Sequence, residues 1–242
     1  AGPVHKGAFY QFEYDISELL HYGQKKNLLE VIVSKMSSDK SVNFAERKAD
    51  YWIFGGIFRP VYLEIQPKES IARTSINANA DGSFLINVYP SEINEVNGAE
   101  AQIYTSEGEP VGNKFSVPIN AGNKKITLKT TIINPDLWSP EFPHLYYVEV
   151  ALTKDGNPIH RVKERFGFRT IEVKRRDGIY VNGQKIMFKG VNRHSFYPSS
   201  GRTTSKALSI KDVQLMKDMN MNAVRMSHYP PDKHFIEACD SL

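Results

Sequence analysis

The chain has a single cysteine, Cys239, among 242 residues, which excludes an internal disulfide framework. It contains no run of about eighteen apolar residues, the length that a membrane-spanning helix needs. Its 31 basic and 27 acidic residues nearly balance, and this small, scattered excess does not favour nucleic acid. Phosphate loops, dinucleotide fingerprints and nucleophile elbows are also missing. We therefore expect neither a membrane nor a nucleic acid as partner, while the compartment stays open.

What the chain has in quantity is aromatic residues, 12 Tyr and 13 Phe, which suit both β-sheet packing and stacking on sugar rings. Three segments of residues 1–66 are typical of strands: Phe9–Tyr14, Leu28–Val33 and Arg59–Ile65. Asp15–Leu20 suits a single helical turn. So few strands predict only part of a sandwich in this region.

Residues 67–169 show short strands separated by turn residues. Asn79-Ala80-Asp81-Gly82 indicates a hairpin, and Asp155-Gly156-Asn157-Pro158 indicates another turn. Tyr146, Val148, Val150 and Leu152 fall on one face of a predicted strand, with Glu149 and Thr153 on the other, as expected for a strand with one buried face. About seven strands in a hundred residues predict an immunoglobulin-like sandwich without its disulfide.

Residues 170–242 change to alternating strands and helices. A hairpin is predicted over Asp177–Gln184, with strands following at Lys185–Gly190 and Met221–Met226. Between these strands, Ser209-Ile210-Lys211-Asp212 has capping-box spacing for a helix start. Pro231 suits the first turn of a second helix, on which His234 is predicted to be exposed. This order predicts parallel strands with right-handed crossovers.

Polar side chains follow both predicted strands, at the end where a β/α barrel carries its active site. Asn192 and His194 both donate and accept hydrogen bonds, which suits sugar hydroxyls, although satisfying loop backbone explains them equally well. Arg225 suits a carboxylate, with a structural salt bridge as the alternative. His228 shares a pocket with Arg225 only if the chain already bends at Ser227. No third ligand accompanies the two histidines, so no metal site is predicted.

Three motifs from successive regions together resemble glycoside hydrolase family 2. The motifs are Asp50-Tyr51-Trp52 with Gly55–Val61, then Leu137–Glu141 with Phe166-Gly167-Phe168-Arg169, then Gly190–His194 with Asn222–Arg225 and Ser227–Pro230. The resemblance implies a multidomain chain: the end of a sugar-binding jelly roll (1–66), an immunoglobulin-like domain (67–169), and the first two βα units of a (β/α)8 barrel (170–242). The Asn-Arg-His form is most similar to β-galactosidase members, with glucuronide or mannoside specificity, or a non-catalytic sugar-binding module, as alternatives.

The resemblance also implies roles for these residues. Members hydrolyse β-glycosides with retention, using two glutamates on barrel strands that lie beyond residue 242, so the chain itself is expected to be inactive. Asn192, His194, Arg225 and His228 are the implied substrate-binding residues; no catalytic residue and no cofactor is assigned within the chain. Trp52 and Arg59 are expected to hold the jelly roll together. Two βα units cannot close a barrel, so self-association through exposed apolar surface is expected.

Overall fold

The computed structural model describes residues 2–23, 26–48 and 52–242, and the described chain is mostly β-structure with few helices. It divides into two compact units. One comprises residues 1–62, 191–212 and 224–236, and the other comprises 63–190, 213–223 and 237–242. Asp50 and Tyr51 of the first motif lie outside the described residues.

The N-terminal segment lacks the strands that the sequence predicts. Within the described part of residues 2–70 there is a 3-10 turn at Ser17–Leu19, as expected, and a helix, α1 (Lys40–Arg47), but no strand. The predictions for Phe9–Tyr14, Leu28–Val33 and Arg59–Ile65 are therefore wrong. Strand residues need a neighbouring strand to pair their N–H and C=O groups. No described strand lies beside these segments, and Leu28 and Ile32 are largely exposed.

Helix α1 was not predicted, although Asp39 supplies a start signal. The Asp39 carboxylate accepts hydrogen bonds from the Ser41 and Val42 amides and from the Ser41 hydroxyl. These bonds to Ser41, the largest cause, lower the pKa of Asp39 from its ordinary value. An aspartate in this position satisfies amides that the first helical turn leaves without partners.

Seven strands form two antiparallel sheets around one apolar core. They are β1 (Ile71–Ala78), β2 (Ser83–Pro90), β3 (Gly98–Thr105), β4 (Pro110–Pro118), β5 (Ile126–Thr131), β6 (Tyr146–Lys154) and β7 (Asn157–Phe166). One sheet has the order β1-β2-β5 and the other β4-β3-β6-β7. The core lies between the sheets because alternate residues of each strand point inward, as on β6, where Val148, Val150 and Leu152 are fully buried.

The predicted hairpin between β1 and β2 is present and depends on Gly82. The Gly82 amide donates to the Asn79 carbonyl at 3.0 Å, and Gly82 has a φ of +81°. A Cβ at this position would lie 1.9 Å from the Ile132 carbonyl oxygen. Both the positive φ and the close approach therefore require glycine.

The remaining elements begin with a small sheet of order β10-β9-β8. Their bounds are β8 (Ile171–Lys174), β9 (Gly178–Val181), β10 (Gln184–Ile186), β11 (Gly190–Asn192), α2 (Lys206–Asp218), β12 (Ala223–Arg225) and α3 (Lys233–Ser241). The predicted hairpin is formed by β9 and β10. The predicted strand Lys185–Gly190 is divided: its start belongs to this hairpin, and pairing with β12 begins only at Gly190.

The start of α2 was also predicted wrongly. The helix begins at Lys206, and the Ser205 hydroxyl accepts a hydrogen bond from the Leu208 amide at 3.1 Å. Ser209 lies inside the helix, fully buried, with its hydroxyl 2.9 Å from His234 Nδ1. His234 is part-buried and not exposed as predicted. Its two ring nitrogens lie at hydrogen-bond distance from the Ser209 hydroxyl and the Thr204 carbonyl.

Candidate functional site

The candidate site lies at the ends of β11 and β12, which pair as neighbours. The Ala223 amide donates to the Lys189 carbonyl, and four residues further on the Arg193 amide donates to the Arg225 carbonyl. The bonds progress in the same direction along both segments, so the strands are parallel, as predicted. Gly190 permits this approach, since a Cβ there would lie 2.1 Å from the Ala223 carbonyl oxygen.

All four sequence-predicted site residues come together at these strand ends. Arg225 Nη1 donates to Asn192 Oδ1 at 3.4 Å, and Arg225 Nη2 lies 3.4 Å from His228 Nδ1. The rings of His194 and His228 have centroids 5.8 Å apart. Asn192, Arg225 and His228 are exposed, and His194 is half-buried. The cluster therefore presents a cation, an amide and two imidazoles on one accessible surface.

His228 reaches this surface because the chain leaves the extended conformation where the sequence predicted. β12 ends at Arg225, and Ser227 has a φ of +52°. The Ser227 hydroxyl donates to the Arg193 carbonyl at 3.0 Å, which ties the bend to the neighbouring loop. Guanidinium groups only donate hydrogen bonds, so the His228 Nδ1 facing Arg225 acts as the acceptor.

Arg193, between two site residues in sequence, turns away from the cluster. Its guanidinium contacts Asp212 through Nε at 2.9 Å and Nη2 at 2.8 Å, and Nη1 donates to the Ser195 hydroxyl. Its Cζ lies 4.1 Å from the centre of the Phe235 ring. With 9% of its side chain exposed, Arg193 joins the strand end to α2 and α3 and is a structural residue.

Two residues without a role in the sequence analysis, Ser195 and Tyr229, complete the surroundings of His194. The Tyr229 hydroxyl lies 3.0 Å from His194 Nδ1 and accepts from the Ser195 amide at 3.0 Å. Both residues are buried. Tyr229 directly follows His228, but sequence spacing carries no signal that pairs it with a histidine 35 positions earlier.

Arg59 contacts a loop of the same unit. Its Nη2 donates to the Pro230 carbonyl at 2.5 Å, and its Nε lies 3.3 Å from Asp232 Oδ1, at ion-pair distance but without hydrogen-bond geometry. The Trp52 ring is 5.3 Å from that of Phe196. These contacts are structural in kind. The jelly-roll role of both residues stays a prediction.

No metal or membrane element is found in the part of the chain that the structure describes. No three His, Cys, Asp or Glu side chains among residues 2–23, 26–48 and 52–242 are grouped to hold a metal ion. None of the described helices is long and apolar enough to span a bilayer.

Comparison with known proteins identifies the family of this chain. Residues 70–169 match the model of "Glycosyl hydrolases family 2", and residues 171–242 match that of "Glycosyl hydrolases family 2, TIM barrel domain". Two models of one family thus follow each other along most of the chain. The chain belongs to glycosyl hydrolase family 2.

Its relatives carry two different activity names. A putative β-glucuronidase of Formosa agariphila is 34% identical over 98% of this chain, and a β-galactosidase of Lactococcus lactis is 33% identical over 94%. A solved β-glucuronidase of Bacteroides uniformis is 25% identical over 87% of the chain, with a TM-score of 0.70. The chain spans 29%, 22% and 27% of these proteins, respectively.

Proposed function

We propose that this chain is part of a retaining β-glycosidase that removes terminal β-galactosyl units. In this proposal residues 1–66 are the end of a sugar-binding jelly roll, 67–169 an immunoglobulin-like sandwich, and 170–242 the first two βα units of the catalytic barrel. The carbohydrate substrate binds at the ends of β11 and β12. Two models of one glycosidase family matching in succession support this arrangement.

The observation that carries the proposal is the convergence of Asn192, His194, Arg225 and His228 at neighbouring strand ends. Sugar hydroxyls need donors and acceptors close together, and an amide with two imidazoles offers both. Barrel enzymes place their substrates at this end of the strands. Asn192, His194 and His228 would contact the sugar ring.

The bond cleavage itself is assigned to groups outside the four residues. The resemblance implies two glutamates on later barrel strands, one as acid/base and one as nucleophile. Arg225 would lie beside the nucleophile and keep it ionised, because a nearby cation favours the charged carboxylate. This chain alone is therefore proposed to be inactive.

A β-glucuronide specificity is the second candidate, and one observation favours it. The Formosa agariphila relative and the Bacteroides uniformis structure are both named β-glucuronidases. A glucuronide carries a carboxylate, and the Arg225 guanidinium is an exposed fork of the kind that binds carboxylates bidentately. Arg225 could then contact the substrate instead of the nucleophile.

Activity of a version extended through the whole barrel separates these candidates. We expect it to hydrolyse 4-nitrophenyl β-galactoside with a higher kcat/KM than the β-glucuronide or β-mannoside, and residues 1–242 alone to give no turnover. A preference for the glucuronide or the mannoside would replace the galactoside assignment. Sugar binding without hydrolysis by the extended protein would instead indicate a non-catalytic binding module.

A histidine substitution tests the site independently of the specificity. His228→Ala in the extended protein is expected to lower kcat/KM about a hundredfold, the loss typical of removing one donor that acts in the transition state. The matched control is His144→Ala, since His144 is exposed on the sandwich. Equal activities of the two variants would remove His228 from the site.

A further inference from the structure

Tyr229 connects the two loops that carry the candidate sugar-binding histidines. It follows His228 in sequence, and its hydroxyl lies 3.0 Å from His194 Nδ1 and 3.0 Å from the Ser195 amide nitrogen. Only 6% of Tyr229 is exposed. One buried side chain therefore contacts both the ring of His194 and the backbone immediately after it.

Donor and acceptor can be assigned in these two hydrogen bonds of the Tyr229 hydroxyl. An amide N–H can only donate, so the Tyr229 oxygen accepts from Ser195. The phenolic proton can then be donated to His194 Nδ1. An imidazole that accepts at Nδ1 and is neutral carries its proton on Nε2. His194 would then offer an Nε2–H donor to a sugar hydroxyl.

The Tyr229 ring is itself held by residues from outside the two loops. It stacks on the Phe9 ring, with centroids 5.0 Å apart and planes inclined by 8°. Arg202, which is 5% exposed, has its Cζ 4.1 Å from the centre of the Tyr229 ring and 5.2 Å from that of Phe9. The guanidinium also donates to the Trp52 carbonyl at 3.4 Å. Burial and cation–π contact together restrict the ring, and with it the position of the hydroxyl.

We propose that Tyr229 is a positioning residue: its hydroxyl fixes the orientation and tautomer of His194 for sugar binding, and the Phe9–Arg202 contact holds the phenol in place. This inference rests on the proposed glycosidase function. Tyr229 acts through His194 and does not contact the substrate. Tyr229 thereby helps to set the loops after β11 and β12 relative to each other, together with the Ser227 hydroxyl that donates to the Arg193 carbonyl.

The test is a double-mutant cycle in the protein extended through the whole barrel. Tyr229→Phe keeps the ring that stacks on Phe9 and removes only the hydroxyl. We expect it to lower kcat/KM for the preferred aryl glycoside about tenfold in the parent, and less than twofold in a His194→Ala background. Interaction energies of contacting residues appear as this kind of non-additivity. Tyr197→Phe is the matched control, because Tyr197 is an exposed tyrosine of the loop after β11, and no activity change is expected.

Unchanged activity of Tyr229→Phe would overturn the inference. A tenfold loss in both backgrounds would also overturn it, since Tyr229 would then act through the fold and not through His194. An extended protein without glycosidase activity would contradict the proposed function, and a second measurement then decides on Tyr229 alone. Nitrogen-15 imidazole spectra of the 242-residue chain, assigned with His194→Ala, should show the Nε2–H tautomer in the parent and its loss in Tyr229→Phe. An unchanged tautomer would contradict the proposal.

Discussion

Arg193 directly follows β11 and Arg225 is the last residue of the neighbouring β12, yet their surroundings give them different tasks. The Arg193 side chain is 9% exposed, and Asp212, Ser195 and the Phe235 ring surround its guanidinium. Arg225 is exposed, and its two described hydrogen bonds, to Asn192 and His228, are both long. A buried cation needs a fixed partner, whereas an exposed one remains available to a ligand. Residue type alone does not distinguish these roles.

The burial of Arg193 makes Asp212 important for stability. Asp212→Asn leaves the guanidinium without its counter-charge. Because 31% of the Asp212 side chain is exposed, we expect a loss of about 2 kcal/mol in the free energy of unfolding, below the range for fully buried pairs. Urea denaturation of the 242-residue chain measures this.

The exposed pair between Arg161 and Glu149 provides the control for that measurement. The side chains are 52% and 36% exposed, and solvent screens such pairs. Glu149→Gln should leave the urea midpoint unchanged within error. If both substitutions gave the same result, burial of Arg193 would not be the cause.

At the scale of single elements, strands were predictable where a partner strand is present. On β6 the alternation of Tyr146, Val148 and Val150 with polar residues reports a buried face, and the structure buries all three. Leu28–Val33 has strand-forming residues, but composition does not reveal whether another strand lies alongside. That is why the sandwich was predicted correctly and the N-terminal strands were not.

Helix starts were less predictable because several residues can supply a cap. Ser209 has the spacing of a capping residue, but Ser205, four positions earlier, holds that place. The hydroxyl of the buried Ser209 lies 2.9 Å from Nδ1 of His234, a residue of α3, and so has a hydrogen-bond partner on another helix. A tertiary contact of this kind overrides the local signal, and no sequence window contains it.

Asp240, in the last turn of α3, has surroundings that disfavour the charged form of its carboxyl group. Trp138 Nε1 donates to the Asp240 carbonyl at 2.7 Å, and Arg165 Nη2 to the Glu237 carbonyl at 2.8 Å, which satisfies groups at the helix end. Burial raises the pKa of the Asp240 carboxyl, and the Arg169 and Arg165 guanidinium groups offset this only in part. The negative end of the helix dipole also disfavours the charge.

A pH series tests this arrangement. Folding raises the pKa of the Asp240 carboxyl. The contribution of Asp240 to stability is therefore present at pH values below the ordinary pKa of 3.8, and it is lost as the pH rises through the raised pKa. Asp240→Asn should therefore raise the Tm at pH 7 relative to the parent, and the difference should shrink towards pH 3.5. A lower Tm at pH 7 would show that the Arg165 contact outweighs the burial.

Glu69 is the control in the same pH series, because its pKa is shifted in the opposite direction to that of Asp240. Backbone hydrogen bonds from Asn94, the largest cause, and from Glu95 lower the pKa of the Glu69 carboxyl. The contribution of Glu69 to stability is therefore present above the ordinary glutamate pKa of 4.5, and it is lost as the pH falls through the lowered pKa. Glu69→Gln should lower the Tm at pH 7 and have less effect at pH 3.5.

For the molecule as a whole, the order of motifs along the chain predicted both the family and the surface where four polar residues meet. Parallel neighbouring strands bring their carboxyl ends to one edge, so Asn192 and Arg225 could be placed together from topology. Tyr229 could not, because its contact with His194 depends on how two loops fold back. Topology thus predicts which strand ends meet, and packing decides which side chains support the site.

The described surface also bears on whether the chain associates with a second copy. Met187, Phe188, Leu215 and Met219 belong to one compact unit and are 77%, 59%, 58% and 60% exposed. Large apolar side chains in water favour association that covers them. We expect sedimentation equilibrium of the 242-residue chain to show concentration-dependent dimers. Replacing Met187 and Phe188 by Ser should weaken the dimer at least tenfold, whereas Ile133→Ser, at an 86% exposed sandwich position, should not. A chain that stays monomeric at every concentration, or a control that weakens the dimer equally, would contradict an association through this region.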